Sequence, residues 1–170
     1  LTAALTHFVN VVAKYPTSQW AISAGTAQDR VTALMKTIGL NVEVPNFDRS
    51  QIVKALIKEA QSLFEQNRFP EAGAKYLLYV SNVPEQDTSV AALGELAKCY
   101  LELGDTNYFK AVIGYLAERF SMNSKLSDNA GNALLRVAAT AETQNNKELQ
   151  QKTYDCYMRH FKSHKRMAGI

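Results

Sequence analysis

One recurrence constrains this chain more than any other feature: small residue, large residue, turn, aromatic, small residue, aromatic and proline follow one another in a fixed order. The clearest copy is Ala60, Leu63, Asn67, Phe69, Ala72, Tyr76 and Pro84. The next reads Ala97, Tyr100, Gly104, Tyr108, Ala111 and Tyr115, with two extra residues in its turn and no closing proline. A degenerate last copy holds Ala138, Ala141, Asn145, Tyr154 and Tyr157. The first small residues of the three copies stand 37 and then 41 residues apart. A period of this size is the mark of stacked helix pairs, each too small to bury its apolar face alone. Small residues let one helix of a pair approach the other, and aromatics fill the angled space between neighbouring pairs.

The rest of the chain agrees with a helical reading. Apolar residues recur at helical spacing almost throughout and no alternating run with a two-residue turn occurs, so the fold class is all-α with about eight helices. The first runs from about Thr2 to Lys14 with Leu5, Phe8, Val11 and Val12, and Pro16 stops it. Ser18 caps the next, whose stripe of Trp20, Ala24, Ala27, Val31, Leu34 and Ile38 ends at Gly39. Trp20 reads as a packing residue. Residues 40–47 form an extended connector, and Asp48 with Gln51 reads as a capping box for a helix reaching about Gln66. Further helices are expected from Pro70 to near Pro84, from Asp87 or Ser89 to Gly104, and from Thr106 to Phe120. Two more, from Ser127 to Gln144 and from Lys147 to Lys162, complete the set. The domain organisation is thus a hairpin over 1–39, a connector over 40–47 and helix pairs over 48–170, ending in a basic helix.

Composition supports folding without staples. With 170 residues, 46% apolar and 21% charged, the chain has a globular rather than a disordered or fibrous balance, and such a length buries roughly 70% of its unfolded surface. No run of about 18 apolar residues is present to span a bilayer. Leu1 is not an initiator Met, which fits a fragment or a removed leader. Cys99 and Cys156 are far apart and make neither a disulfide framework nor a metal-like spacing. The net charge is +3, from 19 Lys and Arg against 16 Asp and Glu. Arg159, Lys162, Lys165 and Arg166 supply 4 of those 19, leaving 15 cations against 16 acids elsewhere. The charge therefore belongs to the last helix.

The repeat resembles the tetratricopeptide family, whose unit of about 34 residues carries small residues at its eighth, twentieth and twenty-seventh places and proline near its end. The copy from Val53 to Pro84 matches with Ala60, Ala72 and Pro84, and departs with Tyr79 at the twenty-seventh place and no aromatic at the fourth. The segment from Phe8 to Ala21, in which Tyr15-Pro16-Thr17-Ser18 joins two helices before Trp20 and Ala21, is similar to a subgroup of bacterial cell-envelope proteins. The resemblance implies a right-handed superhelical solenoid of antiparallel helix pairs. It also implies that the first helix of each pair lines a binding groove. That groove takes Lys54, Ile57, Gln61 and Phe64, then Ala91, Gly94, Lys98 and Leu101, then Asn132, Leu135, Ala139 and Glu142. The Lys, Arg and Asn clamp with which some members hold a peptide carboxylate is missing. Phe64, Leu101 and Leu135 flanked by Lys54 and Lys98 suit an extended or helical segment of another protein.

No Gly-rich phosphate loop, His-Glu-x-x-His or Gly-x-Ser-x-Gly occurs, so neither an enzyme nor a cofactor is expected. Cys156, His160 and His164 lie four apart on one stripe and are a weak metal candidate. Against it stand the cations Arg159, Lys162 and Arg166, and histidine near a helix C-terminus is favoured by the helix dipole alone. The basic end itself suits either a solvated helix terminus or phosphate on RNA or on an anionic membrane surface. The function expected is a protein-protein interaction scaffold, part of a larger assembly, with the bacterial envelope or periplasm favoured as compartment and the cytoplasm as the alternative. An RNA-associated repeat subunit using Arg159, Lys162, Lys165 and Arg166 is the alternative.

Overall fold

A computed structural model describes residues 1–15, 18–42, 49–83 and 86–162. Among them there are eight helices and no strand: α1 (Thr2–Lys14), α2 (Gln19–Thr37), α3 (Arg49–Glu65), α4 (Phe69–Asn82), α5 (Asp87–Glu102), α6 (Thr106–Phe120), α7 (Ser127–Thr143) and α8 (Lys147–His160). No described helix is long and apolar enough to cross a membrane. The chain divides into two compact units, Leu1–Leu56 and Ile57–Ile170, so the division falls within α3. The expected connector lies outside the described residues from 43 on, as does the Asp48 end of the expected capping box.

In the first unit α1 packs along α2. Ser18 caps α2 as expected: its hydroxyl accepts from Ala21 N at 3.1 Å and donates to the Tyr15 carbonyl at 2.8 Å. The expected apolar stripe of α2 is corrected. Ala21, Ala24, Gln28 and Met35 are buried, whereas Trp20, Leu34 and Ile38 are exposed. The buried face is rotated round the helix by about one residue, so that Ala21, Gln28 and Met35 take the places expected of Trp20, Ala27 and Leu34. Trp20 is 66% exposed and is not a packing residue.

In the second unit each helix from α4 to α7 packs on the next, with α5 also on α7 and α6 also on α8. Contacts between first neighbours and between second neighbours together are those of stacked pairs. The repeat is visible in the backbone at its turns. Asn67, Gly104 and Asn145 each follow the first helix of a pair in the left-handed region, at φ 59°, 67° and 54°. In each turn the following N–H reaches the carbonyl five residues back: Arg68 to Leu63, Asp105 to Tyr100 and Asn146 to Ala141, all at 2.9 Å. The same double-bonded stop, the Schellman motif, closes α2 at Gly39, where Leu40 N meets Met35 O at 2.9 Å. Only Gly, and less readily Asn, takes this conformation without steric cost, which explains the residue types. Asp105 and Asn146 then cap the returning helices by accepting from Tyr108 N and Leu149 N.

Registered on these turns, the inner helices repeat closely. Eleven residues before the turn stand Leu56, Leu93 and Leu134, and seven before it Ala60, Ala97 and Ala138, all buried. The returning helices need a correction. Measured from Asn67 and Gly104, five buried places are shared by α4 with its C-cap and by α6: Ala72, Tyr76, Tyr79, Val80 and Val83 against Phe109, Ile113, Leu116, Ala117 and Phe120, while the buried Gly73 of α4 answers to the exposed Lys110. The second turn thus has no extra residues. Tyr108 and Tyr115 are exposed, as is Ala111, and do not occupy the aromatic and small core places expected of them. Small and large have instead exchanged: Ala72 opposite Phe109, Val80 opposite Ala117. Such a swap conserves volume across the stack, which is what a core tolerates best. Of the two starts expected for α5, Asp87 is the one observed, and Ser89 is interior to the helix. It is fully buried and its hydroxyl donates to the Val83 carbonyl, fastening the end of α4 to the start of α5.

Candidate functional site

The three inner helices set the geometry of the candidate groove. α5 is the most enclosed element, with nine of its sixteen residues buried, because α4, α6 and α7 all pack on it. Gly94 meets α7 at Ala133: a Cβ there would lie 3.5 Å from the Ala133 Cβ, an ordinary van der Waals contact. Two polar bridges tie the ends of α5 and α7 together. The Asn129 amide donates to Asp87 Oδ1 at 2.8 Å, and the Gln144 amide donates to Glu102 Oε1. Both bridges join residues 42 apart in sequence and fix the spacing of the two helices along their length.

The expected groove residues separate into three groups. Gly94 and Leu101 are buried in the stack and present nothing to a partner, which corrects their placement on the groove; the close approach of α7 to α5 encloses them. Ile57, Phe64, Lys98, Asn132 and Leu135 are half-buried. Of these, Phe64 packs edge-on against Phe69 with ring centroids 5.2 Å apart, and Lys98 Nζ pairs with Glu95 at 2.9 Å. Gln61, Ala91, Ala139 and Glu142 are exposed. Lys54 is exposed and belongs to the first unit. What the face presents within the second unit is a mixed strip: polar ends, the half-buried Leu135, and the Glu95–Lys98 pair near its middle. Asn132 carries a buried side-chain oxygen without a hydrogen-bond partner.

The other candidates lie on α8. Cys156 does not stand on an open stripe with His160. Its thiol is half-buried and donates to the Ile113 carbonyl on α6 at 3.6 Å, and burial raises its pKa. A protonated thiol turned to α6 is a poor metal ligand. His164 lies outside the described residues, and among those described no group of three His, Cys, Asp or Glu is placed to hold a metal. Cys99 is fully buried, and its thiol is pushed up to about 12, chiefly by burial. Of the basic end, Arg159 and Lys162 are exposed, while Lys165 and Arg166 lie outside the described residues.

Sequence reasoning missed one feature. Ser121, Met122, Ser127, Asp128 and residues 159–162 enclose an open cleft of about 430 Å³ where the end of α6, the start of α7 and the end of α8 meet. Its signal was Asn123. The side chain of that residue accepts from Lys125 N and Leu126 N at 3.1 and 3.2 Å, and so shapes the α6–α7 turn. Comparison with protein-family models, with curated proteins and with solved structures gave no match for this chain.

Proposed function

We propose that this protein is a non-catalytic interaction scaffold of the tetratricopeptide-like kind, and that the strip along α3, α5 and α7 within the second unit receives a segment of a partner protein. The observation that carries this reading is the shared register of the three inner helices. Leu56, Leu93 and Leu134, and Ala60, Ala97 and Ala138, are buried at equal distances from their turns, so the residues between these anchors fall in rows across the three helices, the arrangement that repeat proteins use as a binding surface. Leu135 and the stems of Ile57 and Phe64 provide apolar contact, and the Glu95–Lys98 pair provides charge of both signs at the rim. A part in a larger envelope assembly follows from the likeness of the Phe8–Ala21 segment and belongs to the same proposal.

The test is site-specific photo-cross-linking in the native cell. A photoreactive residue at Ala91 or Ala139, both exposed on the inner strip, is expected to give one discrete protein adduct. The same residue at Ala111, exposed on α6, is expected to give none. Equal labelling from both sides, or none from the strip, would overturn the assignment.

A further inference from the structure

Half of the large apolar residues that are exposed among the described ones, six of twelve, lie in the first 40 residues, so open apolar surface is concentrated in the hairpin of α1 and α2. On α2 it forms a stripe. At about 100° per residue, Trp20, Ala27, Val31, Leu34 and Ile38 fall within an arc of about 60°, and from Trp20 to Ile38 the helix rises about 27 Å. Trp20, Leu34 and Ile38 are exposed, with Ala27 and Val31 half-buried between them. Ala21, Gln28 and Met35, all buried, stand beside this arc and not on it, so the stripe is not the surface that α2 buries. Both of its ends are held. Ser18, bonded to Tyr15 O and Ala21 N, fixes the exposed Tyr15 and Trp20 at the bend of the hairpin. The turn at Gly39, with Leu40 N on Met35 O at 2.9 Å, fixes Ile38 and the exposed Leu40 at the other end.

Charge decides what suits such a stripe. Residues 1–42 carry Lys14, Arg30 and Lys36 against Asp29 alone. Arg30, exposed, flanks the stripe about 40° beyond Leu34, whereas Asp29 stands on the opposite side of the helix. Lys14, also exposed, ends α1 next to Tyr15. A second copy would bring the same cation to the flank and no acid to answer it. An anionic lipid surface answers both the cations and the apolar stripe. We infer that the α1–α2 hairpin lies on such a surface, with the Trp20–Ile38 stripe entered into the headgroup and upper acyl region and Lys14 and Arg30 on lipid phosphates. Trp and Tyr suit that boundary because each has an apolar body and a polar tip, and Lys and Arg reach the phosphates from stems that stay on apolar surface. Apolar contact at both ends of the stripe makes the helix lie flat, the posture of an interfacial helix. None of these residues belongs to the strip along α3, α5 and α7, so the two assignments stand or fall apart.

Trp20 is the one tryptophan of the chain, so its fluorescence reports on this stripe alone. The full chain is titrated at physiological salt with vesicles of phosphatidylcholine and phosphatidylglycerol, and with vesicles of phosphatidylcholine alone. With the anionic vesicles, Trp20 emission is expected to move to shorter wavelength and to be quenched by brominated acyl chains, and neutral vesicles are expected to bind more weakly. Arg30→Gln should weaken binding to the anionic vesicles about fivefold. Leu34→Gln combined with Ile38→Gln should weaken it by at least about tenfold, with the fold unchanged because both sites are exposed. Equal binding to both vesicles, or none to either, would overturn the inference. So would a lipid-free chain in which Trp20 already emits as a buried ring, since protein would then cover the stripe, and a doubled mass would identify the cover as a second copy. Binding that survives Leu34→Gln with Ile38→Gln but is lost with Arg159→Gln and Lys162→Gln would move the contact to the end of α8 and overturn it as well.

Discussion

α2 and α5 are both long helices with apolar residues on more than one face, yet they bury different things. α5 encloses Val90, Leu93, Leu96, Cys99 and Leu101 together with its small residues. α2 encloses Ala21, Ala24, Gln28 and Met35 and leaves Trp20, Leu34 and Ile38 outside. α5 has helices on three sides, and within its own unit α2 is paired with α1. The number of packed neighbours, rather than the apolar content of the helix, sets how many large side chains enter the core. α5, covered from three sides, encloses several, whereas α2 encloses Met35 and Gln28 and otherwise small residues.

The sharpest way to break this comparison is to remove one aromatic from each region. Phe109 is fully buried among α6 and its neighbours, so Phe109→Ala is expected to cost about 3–5 kcal/mol in denaturant unfolding. Trp20→Ala, at an exposed site, is expected to stay within about 0.5 kcal/mol. A loss above about 2 kcal/mol at Trp20 would mean that α2 is covered in solution by something that encloses its stripe. Cys99 offers an independent readout of the same contrast. Burial holds its thiol protonated, at a pKa of about 12, so alkylation near pH 8 should proceed at the rate at which the second unit opens.

Two serines compare the regions on a smaller scale. Ser89 is buried and its hydroxyl donates to Val83 O, so Ser89→Ala leaves a buried carbonyl without its donor and should cost about 1–3 kcal/mol. Ser18 performs an ordinary cap at a half-exposed helix start, and Ser18→Ala should cost about 1 kcal/mol. Equal losses would show that the joint between α4 and α5 gains nothing from enclosure. The turns give the next step down. Gly104→Ala forces a β-carbon into the left-handed region at φ 67° and should cost about 1 kcal/mol, whereas Asn67→Gly and Asn145→Gly should be neutral within a few tenths.

The helix ends were legible where they rest on residue types with local effects: Ser18 caps, and Gly39, Asn67, Gly104 and Asn145 stop, while the caps Asp105 and Asn146 came from the structure. The inner-helix register was legible too, since Leu and Ala recur there at fixed distance from the stop. Two readings failed for a common reason. Tyr108 and Tyr115 drew the second copy out of register, and Trp20, Leu34 and Ile38 drew the face of α2 toward themselves. Large apolar residues dominate any periodicity count, but close helix pairs are set by alanine and glycine, which carry little hydropathy signal. The cleft was illegible because it joins the α6–α7 turn, residues 121–128, to the end of α8, residues 159–162, two stretches that only the fold brings together.

The smallest expected effect tests the one turn that lacks a conventional cap. Arg68 stands where Asp105 and Asn146 stand in the other copies, and its side chain caps nothing. Instead its guanidinium bonds Glu71 Oε1 through Nε at 3.1 Å and Nη2 at 3.0 Å. The Glu71 carboxyl is held below the ordinary carboxylate range, first by a backbone hydrogen bond at Glu71 itself and then by Arg68. A carboxylate whose folded pKa is lowered stabilises fully above its unfolded pKa, and that contribution is lost as pH falls through the folded value. Glu71→Gln should therefore lower stability slightly near pH 7 and leave it unchanged below the folded pKa, where the wild-type carboxyl is protonated as well. The group is fully solvent-exposed and the pair weakens in salt, so the difference at pH 7 should shrink further in 1 M sodium chloride. An effect of equal size at both pH values would mean that Glu71 acts by packing, and that the α3–α4 turn is held like its two counterparts by contacts rather than by charge.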